Sequence, residues 1–268
     1  MSNKNNVKIF WNNASCGETL YYKGDSDKNA YINQSVMRYN LEPYIIDFAN
    51  FEFSADLSIL EIGVGMGADH QKFAENGAKL TGIDLTERAI ELTKNRFKIF
   101  NLHSNLSIGD AEKLKFENNT FNLVYSWGVI HHSPNTQSAV NEIHRVLKDE
   151  GEAKIMIYYK FSFVGYMLWI RYALLKFKPF TTLNYIYSNY LESPGTKAYS
   201  ISEARHLFKD FKNVEIKTVL THGDLLSSEA GQRHKGFLLY IARLIYPRLI
   251  IKYFFPKNGL FMLISAKK

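Results

Sequence analysis

The chain has 268 residues, 46% of them hydrophobic and 15% aromatic, with a net charge of +7; that suits one domain with decorations, or one and a half, around a real core. A single cysteine, Cys16, excludes an internal disulfide and the Cys-rich zinc frameworks. The charge is uneven: residues 1–150 carry 15 Lys and Arg against 19 Asp and Glu, net −4, while residues 151–268 carry 18 against 7, net +11, so the second part is where an anionic partner or membrane surface would be sought, set against a plainly solvated basic face.

Met1 to Asn6 is polar and lacks the apolar core of a signal peptide, so a cytoplasmic protein is expected. Residues 7–30, with Trp11, Cys16, Gly17, Tyr21 and Tyr22, show no clear period and read as an arm laid over the body. Residues 31–49 read as helix broken near Pro43, with Val36, Tyr39, Tyr44, Ile45 and Phe48 at helical spacing. These aromatics could close over a cofactor or simply pack in a core. The apolar run Leu57 to Leu60 leads into Glu61, Ile62, Gly63, Val64, Gly65, Met66 and Gly67, and a polar segment follows to Gly77. This is the pattern of a buried strand, a glycine turn and a helix, the glycines permitting positive φ and letting a ligand lie on bare backbone.

A second apolar run, Leu80 to Ile83, ends at Asp84, twenty-one residues after Gly63. A carboxylate there can accept two hydrogen bonds from a ribose, which points to a nucleotide-like cofactor without saying which. Thr86 should cap a helix running to about Phe100. Leu106 to Ile108 reads as a short strand before Gly109, Asp110, Ala111 and Glu112. Phe121 to Trp127 is a strong buried strand ending in Gly128, Val129, Ile130, His131 and His132. Ser133 as N-cap and Pro134 at the first helical position should open a helix that Gly151 stops, and Ala153 to Tyr159 is the next strand. Strands alternating with helices imply a parallel sheet with right-handed crossovers, with ligands beyond the carboxyl ends of the strands. Glu61, the Gly63–Gly67 turn, Asp84, Asp110, Trp127 and the two histidines all fall on that rim.

After Tyr159 the rhythm breaks. Residues 160–198 and 221–258 read as insertions. Ser202 to Asp210 reads as a helix and Val214 to Leu220 as a strand. Leu260 to Ala266 closes the sheet, and helix-to-strand order there suggests an antiparallel hairpin at its edge. Two apolar stretches fail as membrane spans: Phe161 to Leu175 is short and carries Arg171, and Phe237 to Phe255 carries Arg243, Arg248, Lys252 and Pro247. The latter could instead lie on an anionic membrane face or pack as a cap.

Taken in order, Leu60 to Gly67, Gly82-Ile83-Asp84-Leu85, Gly109-Asp110-Ala111, Asn122-Leu123-Val124-Tyr125 and His131-His132 resemble the successive motifs of class I S-adenosylmethionine-dependent methyltransferases, in the branch that methylates quinones, sterols and other small or lipid-like molecules. The resemblance covers about residues 55–160. It implies an α/β, Rossmann-like, doubly wound seven-stranded sheet, mostly parallel with an antiparallel C-terminal strand, plus helical cap insertions. It implies Glu61 with Gly63, Gly65 and Gly67 at the methionine part of the cofactor, Asp84 at the ribose, Leu85 on the adenine, Asp110 at its exocyclic amine beside Ala111, and the backbone near Ser126 and Trp127 on the methyl side. The usual Pro-Gly-Gly turn after the helix at Val146 to Lys148 is replaced by Asp149, Glu150 and Gly151. A nicotinamide site fits less well, because the turn is G-x-G-x-G and Asp110 has no role there.

Residues 1–54 then form an arm and helices over the cofactor site, 55–160 the S-adenosylmethionine-binding core, and 161–268 substrate-cap insertions with the last strands. Methyl transfer from a sulfonium needs alignment, exclusion of water and sometimes a base. His131 and His132 are the base candidates; adjacent side chains point apart, so at most one should face the pocket. Both read equally as structural. Tyr22, Tyr158 and Tyr199 are candidates for the substrate side, and equally for the core. No His, Asp or Glu spacing suggests a metal. The expected acceptor is a small or lipid-like molecule. An RNA or protein methyltransferase using the basic part is the alternative, although no RNA-binding module is recognisable; a non-catalytic S-adenosylmethionine-binding protein is a third.

Overall fold

The computed structural model describes residues 3–15, 18, 27–228 and 244–268. Helix α1 (Asn3–Asn13) precedes α2 (Lys28–Leu41), whose first turn is closed by Asp27 accepting the Ala30 N–H at 2.7 Å. Pro43, which has no N–H to continue a helix, separates α2 from α3 (Tyr44–Ala49). Next come β1 (Ser58–Ile62), α4 (Ala68–Glu75), β2 (Lys79–Asp84), α5 (Glu87–Ile99) and β3 (Asn105–Ile108). Thr86 caps α5 through the Ala89 N–H, as its position predicts. The chain continues through β4 (Phe121–Trp127), α6 (Thr136–Val146), β5 (Leu147–Tyr158), α7 (Phe163–Tyr172) and α8 (Leu183–Tyr190). It ends with α9 (Ile201–Leu207), β6 (Lys212–Val219), α10 (Arg248–Phe254) and β7 (Phe261–Lys267).

Two local expectations change. Ser133 and Pro134 do not open α6; they follow a short 3-10 turn over Ile130–His132, and Asn135 is the cap, its side-chain oxygen accepting the Ser138 N–H at 3.1 Å. Gly151 does not stop that helix. The helix ends at Val146, and the strand begins at Leu147 with a register shift between Phe121 and Leu123 on its neighbour, where Glu150 takes φ 62.

The seven strands lie in the order β3-β2-β1-β4-β5-β7-β6. The pairs from β3 through β5 are parallel, and β7 runs antiparallel to both β5 and β6. After β1 the chain winds out to β2 and β3, then returns across to β4, so the switch point lies between β1 and β4. Period-two alternation builds both faces of the sheet. Leu60, Ile62, Val124, Ile155, Ile157, Met262 and Ile264 pack on one side with Val140 and Ile143 of α6. Ile59, Leu123 and Tyr125 face the other, against Ile45, Phe51, Phe73 and Phe97. Among the described residues no helix is long and apolar enough to cross a membrane.

A buried polar network ties the N-terminal helices to this core. Asp69, in the first turn of α4, accepts from Arg38 Nε at 3.0 Å and Nη2 at 2.7 Å, from Tyr39 Oη at 3.0 Å and from Tyr125 Oη at 2.9 Å. Burial opposes its ionisation, but the Arg38 charge and these donors prevail and hold the carboxyl below its usual range. Arg96, 1% exposed, donates to Gln71, Gln34, Ser35 and the carbonyls of Tyr31 and Met66. It therefore joins α2 to the end of the glycine turn.

Glu42 lies at the edge of this network, 3.4 Å from Arg38, and its Oε2 has no hydrogen-bond partner. Burial pushes its carboxyl up to about 7, with Asp69 and Glu192 adding repulsion against the pull of Arg38. A carboxyl raised on folding stabilises fully below its unfolded value, and that stability is lost as pH rises through about 7. Glu42→Gln is therefore expected to be more stable than the parent at pH 8, by at most roughly 3 kcal/mol, and little different near pH 5. Urea unfolding at both pH values measures this; a variant weaker at pH 8 would show that the charged form is the stabilising one.

Candidate active site

At the carboxyl end of β1 the backbone turns sharply. Gly63 has φ +84, and a Cβ there would lie 2.1 Å from Val129 Cγ2. Its N–H donates to Ile83 O at 2.7 Å. Gly65 has φ +54 and is open in front, with only Ser15 Oγ at 3.7 Å from a would-be Cβ. Its carbonyl accepts from Thr93 Oγ1 and its N–H donates to Asp84 Oδ2 at 3.2 Å. The turn from β1 is thus pinned to the end of β2, and bare main chain faces the rim.

The carboxylate of Asp84 also takes the Thr86 N–H at 2.9 Å and hydroxyl at 2.8 Å, both on Oδ1. Oδ2, with one donor, keeps accepting capacity toward the cleft. Burial raises this carboxyl, and the donors from Thr86 and Gly65 pull it back. Beyond β3, Asp110 uses Oδ1 to accept the Glu112 N–H at 3.0 Å and Oδ2 to pair with Lys4 Nζ at 2.7 Å. Lys4 also reaches Glu112 at 2.7 Å. On the same helix Lys8 pairs with Glu87 at 2.7 Å and Asn12 Oδ1 accepts the Arg88 N–H, so α1 is laid along α5 and over the rim.

These groups line one cleft open to solvent. Gly63, Gly65, Asp84 and Leu85 form one wall, and Gly109, Asp110 and Ala111 another. Val7 and Trp11 of α1 close over it, and Trp127, Val129, His132 and Pro134 form the far end. The ring of Trp127 is held between Tyr44, 6.1 Å away by centroids, and Phe261 at 5.7 Å. Trp11 meets the His132 ring edge-on at 5.3 Å.

Several residues predicted for the site stand off the cleft wall. Glu61 is buried and contacts His70 Nδ1 at 2.8 Å, while His70 Nε2 meets Ser104 Oγ at 2.8 Å and that hydroxyl donates to Leu80 O. Burial raises Glu61 well above its usual value and lowers His70 to about 3. The pair lies under the sheet end rather than in the cleft. Gly67 faces α5: a Cβ would sit 2.8 Å from Thr93 Cγ2, so its small size serves helix packing. Ser126 donates to Ile62 O at 3.1 Å in the sheet interior. Tyr199 donates to Thr136 Oγ1 at 2.8 Å, and its backbone bridges to Tyr159. Tyr158 is packed against the His131 ring, with centroids 4.0 Å apart, and donates to Glu192 Oε2 at 2.6 Å. Tyr22 lies outside the described residues.

The rings of the adjacent histidines lie side by side, with centroids 4.2 Å apart, although only His132 lines the cleft. Its Nδ1 meets Ser193 Oγ at 2.8 Å and Thr196 Oγ1 at 3.0 Å. His131 is turned inward, fully buried, and its ring is held neutral by burial, reinforced by His132 and Lys197. Residues 1–54 are expected over the cofactor site, with Trp11 in the arm, and α1 brings Lys4, Val7 and Trp11 to the cleft. Glu192 beside His132 was not singled out; it comes from an insertion, and only the fold brings it here.

Residues 60–155 match the family model described as a methyltransferase domain. The chain is 32% identical over 109 residues to sterol 4-C-methyltransferase strm-1 of Caenorhabditis elegans, covering 40% of this chain and 32% of that protein. It is 26% identical over 170 residues to demethylmenaquinone methyltransferase of Tropheryma whipplei, covering 61% of this chain and 70% of that one. The chain thus spans about a third of the length of the first of these relatives. Its fold is similar to that of Haemonchus contortus phosphoethanolamine N-methyltransferase 2, solved with phosphomonomethylethanolamine and S-adenosylhomocysteine: TM-score 0.58, 17% identity, 98% of this chain and 60% of that one. Residues 60–155 are thus similar to methyltransferase domains, and the parallel sheet, its switch point and the antiparallel last strands agree with that similarity.

Proposed function

We propose that this protein transfers the sulfonium methyl group of S-adenosylmethionine to a small-molecule or lipid-type acceptor bound at the Trp127–His132 end of the cleft. One observation carries the reading: open main chain at Gly65 and two acids from separate strand ends, Asp84 and Asp110, line a single cleft. The donor fits these groups. Gly63 and Gly65 border the methionine part, and the spare accepting capacity of Asp84 suits the ribose hydroxyls. Leu85 and Ala111 flank the adenine. Asp110 Oδ2 takes the exocyclic amine in place of, or shared with, the Lys4 ammonium. The bound donor supplies a methyl carbon already activated by positively charged sulfur. The chain's part is to align and to keep water out, which α1 does with Val7 and Trp11. His132 is the titratable side chain lining the acceptor end, and a proton released by the acceptor would go to it.

The far end is aromatic and apolar, and among the described residues Lys4 is the only Lys or Arg lining the cleft. That favours a small or lipid-like acceptor over RNA or a protein segment, in keeping with the sterol and menaquinone names of the relatives. The deciding experiment is calorimetry with S-adenosylmethionine, followed by release of S-adenosylhomocysteine on adding phenolic, sterol and amine acceptors. No heat from a folded sample removes the reading; heat without turnover on any acceptor leaves a binding protein.

A lipid-type acceptor also suits the surface. Phe177, between Lys176 and Lys178, and Phe180, two residues after Lys178, are 94% and 98% exposed, and α10 exposes Leu249, Tyr253 and Phe254 around Lys252. Aromatic tips among lysines match an anionic membrane face. Co-sedimentation with phosphatidylglycerol-rich vesicles at low salt is expected to capture the protein. Replacing Phe177 and Phe180 by serine should cut the bound fraction several-fold. Absence of binding at low salt removes the membrane contact.

A further inference from the structure

Behind the His132 edge lies a group of atoms that the protein itself leaves unsatisfied. His131 is fully buried, and among the described residues neither of its ring nitrogens has a hydrogen-bond partner. His132 Nε2 is buried and likewise makes no hydrogen bond, although Glu192 Oε2 is 3.4 Å away. Ligand atoms of His131, His132 and Glu192 all lie within 4.8 Å of one another. Buried polar atoms are nearly always paired, so three ring nitrogens without a partner call for an explanation. Each neutral imidazole keeps one lone pair, and Glu192 Oε2, which already accepts from Tyr158, stands 3.4 Å from His132 Nε2; a cation can take both lone pairs and this carboxylate as ligands together.

We propose that His131, His132 and Glu192 bind one divalent transition-metal ion of the zinc class at the acceptor end of the cleft. Two imidazoles and one carboxylate form a donor set that suits Zn²⁺, Co²⁺ or Fe²⁺ better than Mg²⁺ or Ca²⁺, which take mainly oxygen. The 3.4 Å separation of His132 Nε2 and Glu192 Oε2 already matches the ligand–ligand edge of a tetrahedral site, which is about 3.3 Å for bonds of about 2.0–2.1 Å. His131 needs a rotation of its ring to complete the face. Outer partners are in place: Ser193 Oγ can accept the His132 Nδ1–H at 2.8 Å, and Tyr158 donates to Glu192 at 2.6 Å, fixing carboxylate and ring directions. The Glu192 side chain is 32% exposed and gives the ion a way in.

Sequence spacing could not show this set. Glu192 comes sixty residues after His132, from the chain between α8 and α9, and two adjacent histidines are not a ligand motif. The use of the ion rests on the methyl-transfer reading above, since its open position would face the cleft and take an anionic oxygen of the acceptor. His132 would then be a ligand rather than a base. Binding of the ion does not rest on that reading.

The test uses the full chain, stripped with a chelator and dialysed. Titration with Zn²⁺ by calorimetry and with Co²⁺ by visible absorption is expected to show one ion per chain, with the intense d–d bands of a low-coordinate site. Glu192→Gln and His131→Ala should each weaken Co²⁺ binding at least tenfold and leave S-adenosylmethionine binding unchanged. If His131→Ala does not fold, Glu192→Gln carries the comparison. A folded parent that holds neither ion overturns the site, as does binding that Glu192→Gln leaves intact. Ion binding without donor binding would keep the site and remove the methyl-transfer reading; donor binding without ion binding would do the reverse.

Discussion

Asp84→Ala is expected to weaken S-adenosylmethionine binding by about a hundredfold, or about 2.7 kcal/mol, with the circular dichroism spectrum unchanged. Hydrogen bonds to a charged acceptor are worth about 1.5–3 kcal/mol each, and a ribose offers two donors. The carboxylate does a second job, because Oδ2 holds the Gly65 N–H and Oδ1 the start of α5. Its loss therefore also loosens the main chain the donor lies against. Asp84→Asn keeps one acceptor oxygen and should retain part of the affinity. Calorimetry on the three proteins gives the comparison, and equal dissociation constants in parent and alanine variant would dissolve the cradle as drawn.

Asp69→Ala is expected to cost about 3–5 kcal/mol of folding stability, the range for removing one member of a buried ion pair. The substitution leaves the Arg38 guanidinium with Glu42 alone, at 3.4 Å, and strands the hydroxyls of Tyr39 and Tyr125. Much of the cost comes from that stranded charge. Removing the charge as well, in Asp69→Ala with Arg38→Met, should recover part of the loss, so the double variant should be less damaged than the sum of the singles. Urea titrations of the four proteins supply the cycle. Strict additivity would mean that Arg38 does not depend on Asp69. The effect reaches the site, because α2 and α4 carry this network and Arg96 of α5 joins α2 to Met66 at the end of the glycine turn.

The cleft's floor was readable because each part of it is local. The Gly63–Gly65 turn, Asp84 and Asp110 each follow directly on a strand of strong apolar pattern, and parallel strands bring their carboxyl ends to one rim. Glu61 looked like a member of the set by the same logic, yet it faces His70. A strand residue's direction follows the pleat, and Glu61 falls on the side that α4 covers. Gly67 was read as part of the cofactor loop, and the fold adds a packing reason for a glycine there, since a Cβ would meet Thr93 of α5. The misplaced start of α6 has a similar cause: Ser133, Pro134 and Asn135 are all competent openers, and the tight turn over Ile130–His132 leaves the cap to Asn135.

By itself, the amino-acid order determined the alternation of strands and helices, the positions of the glycine turn and its two acids, and with them a nucleotide-like cofactor, which the family resemblance narrowed to S-adenosylmethionine. Those are properties of short segments, where burial period, turn chemistry and caps act over a few residues. Only the tertiary structure decided which side chains of the N-terminal arm meet the cleft and what stands behind His132 at its far end. Lys4 reaches Asp110 across 106 positions, Tyr39 and Tyr125 meet on Asp69, and Glu192 arrives beside His132 from an insertion. Such meetings depend on how packed faces dock, and no local preference of the chain encodes the distance between residues so far apart.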